Sequence, residues 1–453
     1  MTEGNSTKIL ISFAIPMVIG NIFQQLYNTT DAIIVGRFIG KNALASVGVA
    51  NPIMSIAIFF IFGICIGTSI LMSQLFGAEN YSALKKEIST SLIVGILFTL
   101  ILSVICVCLS KWFLIITGTP EEILNDADIF LKIIFSGLIF SFLYNFYSSA
   151  LRSIGDSRTP LVFLLISCIL NGILCVVFIV IFNLGVAGSA IATVIAQAIS
   201  SLLCILYVYI KIPLISLKKN ELIIDKILLK KTIQYSWVTA IQQTSLYVGK
   251  LLVQGVVNPF GTNAIAAYNS VTRVDSFILS PEDSFSSSIA TYTAQNKGAG
   301  KNLRIIDGFK KSTIIITIYS IVTSLIIFFY TEGIMTLFVS GSEKEVISLG
   351  IQYLKAMSIF YVLSGFCNIF QGMFRGIGKL STTFIATTMQ ISIRVGFSYL
   401  LAPYFGLPGL CYATAIGWVL MITFEGWTCR KSFMKITEQA ESKNYILKYG
   451  SSN

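Results

Sequence analysis

Apolar residues along this chain neither alternate nor keep to one helical stripe. They run almost unbroken for twenty residues or more and stop at short polar breaks. Twelve such runs are visible, at about 9–36, 46–75, 88–110, 128–151, 160–182, 186–211, 231–258, 264–291, 311–331, 347–374, 382–402 and 406–429. Each can cross a hydrocarbon core of roughly 30 Å as a helix. Lipid-facing strands would alternate, so these continuous runs predict helices and no barrel. The breaks carry turn formers: Gly118-Thr119-Pro120, Gly155-Asp156-Ser157, Asn183-Leu184-Gly185 and Asn258-Pro259-Phe260-Gly261. The pattern predicts an all-α polytopic membrane protein with twelve transmembrane helices.

Composition agrees. Of 453 residues 55% are hydrophobic and 12% charged, with a mean hydropathy of +0.81; soluble domains carry about 25% charged residues. Histidine is absent, which removes His-ligated metals, Ser-His and Cys-His catalysis and His proton relays. The nine cysteines lie in or beside apolar runs without C-x-x-C spacing, so no metal site is expected. The net charge of +11 is spread over short loops, which argues against nucleic acid. No G-x-x-x-x-G-K-[ST] run marks an ATPase, and no paired carboxylates on neighbouring spans mark an intramembrane protease, so no enzyme and no cofactor are expected. The first run is too long for a signal peptide and lacks a small-residue cleavage site.

With the amino terminus inside, cytoplasmic loops and tails hold 23 of the 32 Lys and Arg residues. The opposite loops hold Arg37, Lys41, Lys111 and Lys344. That bias places both termini in the cytoplasm, in the plasma (inner) membrane. The lysine-rich stretch near the middle divides the chain into an N-lobe at 1–211, a cytoplasmic linker at 212–230, a C-lobe at 231–430 and a cytoplasmic tail at 431–453.

The halves repeat. Gly40-Lys41-Asn42-Ala43-Leu44-Ala45 matches Gly261-Thr262-Asn263-Ala264-Ile265-Ala266 at a shift of 221, as do Gln74, Gly77 and Ala78 with Gln295, Gly298 and Ala299. Gly185, Gly188, Ala192 and Thr193 match Gly406, Gly409, Ala413 and Thr414 at the same shift. Between them Lys132/Lys355, Asn145/Asn368, Arg152/Arg375 and Gly155/Gly378 match at 223. Six spans per half is even, so the two six-helix lobes run parallel, with a central cavity expected at their interface. That is an architecture for alternating access.

Pro16, the run Gln24-Gln25-Leu26-Tyr27-Asn28-Thr29-Thr30-Asp31-Ala32-Ile33-Ile34-Val35-Gly36-Arg37-Phe38-Ile39-Gly40, Gln74-Leu75-Phe76-Gly77-Ala78, Leu151-Arg152-Ser153-Ile154-Gly155-Asp156 and Leu184-Gly185-Val186-Ala187-Gly188-Ser189-Ala190 together carry a resemblance. Over essentially its whole length the chain resembles the multidrug and toxic compound extrusion (MATE) transporters, nearest their DinF-like branch. The resemblance implies a secondary active antiporter that exports drug-like, often cationic compounds in exchange for protons or sodium. Its partners would be small molecules and membrane lipid, and it is expected to be a monomer.

Asp31 is the leading candidate for cation coupling. A mid-span carboxylate costs at least about 2.5–3.5 kcal/mol on insertion scales, and no basic residue lies three or four positions away. The resemblance makes it the coupling residue and Pro16 the helix-bending one. Asn171 and Thr193 match the branch's polar residues beside that aspartate. Four residues after Asn171 the branch commonly has a second aspartate; here Cys175 stands there and is expected to pack. Losing a carboxylate weakens a sodium cage and favours a proton, but leaves the ion open. Gln24, seven residues before Asp31, is a substrate-cavity candidate with Asn145 and Asn368.

The C-lobe has no cation site of the kind used by the NorM-like branch, since Leu246 stands near one of its carboxylate positions and 347–374 has no Asp or Glu. It has a charge cluster: Lys250, Arg273, Asp275 and Arg394. Equal depth in a hairpin predicts that Lys250 pairs with Asp275. The basic residues keep a second reading open, a flippase of lipid-linked oligosaccharide or another amphiphile from the same superfamily.

Overall fold

The structure is a computed structural model that describes residues 1–339, 341 and 343–449; for Asn28 and 435–449 it describes the backbone. Among the described residues fourteen α-helices follow one another: α1 Ser6–Phe38, α2 Lys41–Gly77, α3 Tyr81–Ile116, α4 Glu121–Ser136, α5 Leu138–Ser153, α6 Arg158–Val176, α7 Gly185–Lys211, α8 Lys226–Val257, α9 Thr262–Gly298, α10 Asn302–Phe338, α11 Lys344–Ser358, α12 Tyr361–Ile377, α13 Leu380–Phe405 and α14 Leu407–Tyr449. No strand occurs among the described residues.

Twelve spans are made from these fourteen helices because two spans are bent. The α4/α5 pair turns by 44° at Gly137 and the α11/α12 pair by 53°. These are the fourth and tenth spans, so the bend is repeated with the sequence. Eight other helices are long and apolar enough to cross a membrane singly. The last two, α8 and α9, are less apolar, and they carry Lys250, Arg273, Asp275, Glu282 and Asp283.

The spans are inside-out relative to soluble helices. On α3, Gly95, Thr99, Ser103, Cys106 and Ser110 are buried, whereas Ile101, Val104, Trp112 and Ile116 are more than half exposed. Small residues let helices approach closely, and large apolar ones face lipid. A Cβ on Gly95 would meet the Phe142 ring, and the Ser103 hydroxyl donates to the Phe135 carbonyl at 2.6 Å.

Packing divides the chain into two compact units, called here the N unit (Pro16–Phe76 and Asn80–Tyr247) and the C unit (Met1–Ile15, Gly77–Glu79 and Val248 onward). The division passes through α1 at Pro16 and through α8 after Tyr247. Pro16 lies inside a continuous helix. The N unit centres on Leu131, Phe135, Phe142 and Phe146, the C unit on Val271, Tyr353, Leu354 and Tyr361.

The connection between the halves is irregular from Ile212 to Asp225 apart from one 3-10 turn, and α8 begins at Lys226. It is strapped to the start of α3: Ser89 and Ile223 exchange two hydrogen bonds of 2.7 Å, and the Asp225 N–H donates to Thr90 at 3.0 Å. Glu221 accepts from the Lys218 N–H at 2.8 Å and from Lys85 at 2.7 Å, and these contacts hold its carboxyl below the usual range. The expected tail continues α14 as backbone to Tyr449; 450–453 lie outside the described residues.

Candidate functional site

In the N unit three helices contribute residues at i, i+4 spacing. These are Tyr27 and Asp31 on α1, Asn171 and Cys175 on α6, and Ser189 and Thr193 on α7. That spacing puts each pair on one helix face, and α7 runs antiparallel to the other two. The six side chains therefore form two rungs about 6 Å apart.

The first rung holds Asp31. The Cys175 thiol donates to Oδ1 at 3.1 Å, and the Ser189 hydroxyl lies 3.2 and 3.3 Å from the two oxygens. In the second rung Asn171 Nδ2 donates to Thr193 Oγ1 at 3.2 Å, and the Tyr27 hydroxyl lies 3.2 Å from the same atom. The Thr193 hydroxyl reaches the Ser189 carbonyl at 3.1 Å, which ties the rungs together. Asn171 is 2% exposed, and its Oδ1 has no hydrogen-bond partner. The free acceptor thus stands one turn from a carboxylate that has no cationic partner.

Asp31, Asn171 and Thr193 are thus brought together. Cys175 does more than pack: it donates to the carboxylate directly, because its step of four from Asn171 puts it in the Asp31 rung. Ser189 and Tyr27 were not singled out by the sequence, although the same step from Thr193 and Asp31 reaches them.

Of the expected cavity residues, Gln24 and Asn145 belong to the N unit. Gln24 is exposed on α1, and Asn145 is half-buried with its Nδ2 donating to the Ser141 carbonyl at 2.8 Å in its own helix. Asn368 belongs to the C unit, 3.5 Å from the buried Glu282, which also accepts from Ser320 at 2.9 Å.

The expected Lys250–Asp275 pair is not formed, as no ion pair within 4.0 Å joins them. Asp275 instead accepts from the Tyr361 hydroxyl at 2.5 Å. Tyr361 opens α12, just past the bend in that span. Equal depth did not decide the contact because it ignores rotation about the helix axis: Lys250 is accessible and acts electrostatically on Asp283, Arg394 and Asp275 without closing to an ion pair. A phenol also neutralises no charge and buries no second one, so it avoids a further desolvation cost. Arg273 is exposed; Arg394 is half-buried with its Nε unpartnered. Tyr361→Phe is expected to lower folded abundance about as much as Asp275→Asn, and Lys250→Met is expected to rescue neither. Size-exclusion yield of the four proteins checks this.

A chain of twelve bent and straight spans in two repeated halves, with a polar cluster around a single carboxylate inside one bundle, defines a membrane transporter. The MatE family model matches it twice, over 16–177 and 239–400, two segments of equal length offset by 223 residues. The chain belongs to the MatE family, the multidrug and toxic compound extrusion transporters. It is 27% identical to the probable multidrug resistance protein YpnP of Bacillus subtilis over 90% of this chain and 91% of that one. Its fold is similar to a MATE structure solved in complex with MaL6, with a TM-score of 0.91, 22% identity and coverage of 96% and 98%. It is also similar to a MOP superfamily transporter of Pyrococcus furiosus whose binding pocket is described as of reverse polarity, with a TM-score of 0.89, 22% identity and coverage of 96% and 97%.

Proposed function

We propose that this chain exports drug-like, often cationic compounds across the plasma membrane in exchange for protons, by alternating access of its two repeat bundles, as a DinF-like member of its family. Asp31 carries this reading. It is a carboxylate within a span, its partners are a thiol and a hydroxyl, and no basic residue neutralises it. Protonated, it is neutral and can donate to a neighbouring oxygen. Ionised, it offers one negative charge to a cationic drug. Proton and drug compete for that charge, and competition for one site is what exchange requires. Pro16 supports the alternation, since it stands where α1 passes from one unit into the other and removes one backbone hydrogen bond there.

Efflux of ethidium or a fluoroquinolone from cells, with the proton and sodium gradients collapsed separately, tests the reading. Export is expected to stop when the proton gradient is lost and to survive loss of the sodium gradient.

The unpartnered Asn171 Oδ1 favours one variant, in which sodium drives export. Sodium prefers hard oxygen donors, and Cys175 supplies a soft thiol at the place of a second carboxylate. Cys175→Asp is therefore expected to introduce sodium stimulation of efflux that the natural chain lacks. Sodium-stimulated efflux already present in the natural chain would favour the variant.

A further inference from the structure

Glu87, in the second turn of α3, has no exposed surface, and no basic side chain among the described residues lies within 4.0 Å of its carboxylate. The other buried acid of α3 and α4, Asp128, has Lys132 at 2.7 Å. Glu87 has only hydroxyls: Ser91 donates at 2.6 Å, and the Thr232 hydroxyl lies 2.8 and 2.9 Å from its two oxygens. Asp225, itself 4.0 Å from Lys86, is the charged group of the connecting segment that acts on it; Lys230 and Lys231 of α8 are exposed.

Thr232 belongs to α8, which opens the second repeat, yet Lys226–Tyr247 pack in the N unit. There the Ser236 hydroxyl donates to the Ile64 carbonyl at 3.2 Å and Thr239 to the Gly63 carbonyl at 2.6 Å. Gly63 and Gly67 let the backbones touch, since a Cβ on Gly67 would fall 2.5 Å from the Ser236 Cα. The other repeat mirrors this arrangement. The first residues of α1 pack in the C unit, where the Ser6 hydroxyl donates to Asp307 of α10 at 2.6 Å. In both cases the first helix of one repeat gives a hydroxyl to a carboxylate near the start of the third helix of the other. The two differ in charge balance. Asp307 is half exposed and paired with Lys311 at 3.0 Å, so its charge is held; Glu87 is buried and unpaired.

We propose that Glu87 is a second proton-binding residue of the transport cycle. Ionised, it clasps the first half of α8 to α3; protonated, it releases that half. The inference rests on the reading of the chain as a proton-driven exporter working by alternating access. An ionised carboxylate accepts from both Ser91 and Thr232 through charge-assisted hydrogen bonds. Its protonated form gives up that charge, and its own O–H needs an acceptor, so the clasp weakens. The sign suits antiport: the proton-loaded carrier opens this end, and the drug-loaded carrier, with Glu87 ionised again, recloses it.

Trp237 of α8 lies edge-on to Phe60 of α2, with ring centroids 5.6 Å apart, and reports the clasp. The test uses the full chain in nanodiscs with Trp112, Trp418 and Trp427 replaced by Phe. Trp237 emission is expected to change with pH in a single transition. Glu87→Gln should remove the transition and hold the acid-form spectrum at every pH, while slowing proton-driven export by at least about tenfold. Ser91→Ala removes a hydrogen bond to the ionised form, so it should move the midpoint upward by about one pH unit. It does so even where Glu87→Gln fails to fold. No transition in the parent protein, a transition that persists in Glu87→Gln, or a midpoint unmoved by Ser91→Ala overturns the proposal. A transition lost in Asp31→Asn but kept in Glu87→Gln also overturns it, and leaves Asp31 as the proton site. A transition that depends on Glu87, in a protein whose Asp31→Asn variant still exports uphill, supports the clasp and refutes the Asp31 reading alone.

Discussion

Asp31→Asn is expected to abolish uphill export while leaving the protein folded. Asparagine has nearly the shape of aspartate and can still accept from Cys175 and Ser189, which lie 3.1 and 3.2 Å from Oδ1. The rung should therefore keep its packing. What is lost is the change of charge. The variant stays neutral whichever side it faces, so it resembles the proton-loaded carrier throughout the cycle. Removing a costly charge from within a span also favours the folded protein, so loss of abundance is not expected. The drug accumulation ratio across the membrane should fall to unity under a proton gradient. An unchanged ratio would refute the assignment. Downhill exchange of labelled for unlabelled drug isolates the defect, because it needs conformational change but no proton.

Gly372→Ala is expected to destabilise the protein strongly. Gly372 and Gly376 form a Gly-x-x-x-Gly face on α12. A Cβ on Gly372 would run into the Ser286 carbonyl and the Ile289 side chain of α9, and one on Gly376 would fall 2.5 Å from the Ala290 carbonyl. Backbone cannot step aside as a flexible side chain can, so the two helices must move apart. They also hold Asn368 to Glu282, and Ser286 donates to the Asn368 carbonyl at 2.7 Å. Overpacking of this kind costs about 1–3 kcal/mol, and the rigid neighbour places Gly372 at the upper end. Gly396 on α13 is the control: a Cβ there meets nothing within 4 Å. Thermal unfolding in detergent should show a large loss for Gly372→Ala and none for Gly396→Ala. Equal curves would contradict the packing account.

Hydropathy marks ten of the spans well because lipid demands long apolar runs whatever their neighbours; α8 and α9, which carry the charges, stand out less. It was blind to what depends on rotation about each helix axis. The bends in the fourth and tenth spans need no polar break, so neither left a mark in the apolar pattern. The Tyr361–Asp275 contact and the Gly372/Gly376 face likewise depend on azimuth, which an all-apolar exterior does not encode. The repeat was legible because its matches are positional, and the two family-matched segments carry the same shift of 223. Part of the Asp31 cluster was legible through the resemblance, which named Asn171 and Thr193. Ser189 and Tyr27 follow once each helix is read in steps of four. Glu87 was passed over because, beside Lys85 and Lys86, it looks like part of an ordinary charged helix start.

The most direct test of proton coupling through Asp31 is transport by the purified chain in sodium-free proteoliposomes, with a pH difference imposed across the membrane. Ethidium should move against its gradient only while the pH difference lasts, and Asp31→Asn vesicles should show no uphill movement. Uphill movement that ignores the pH difference and appears only when a sodium gradient is supplied would contradict the account.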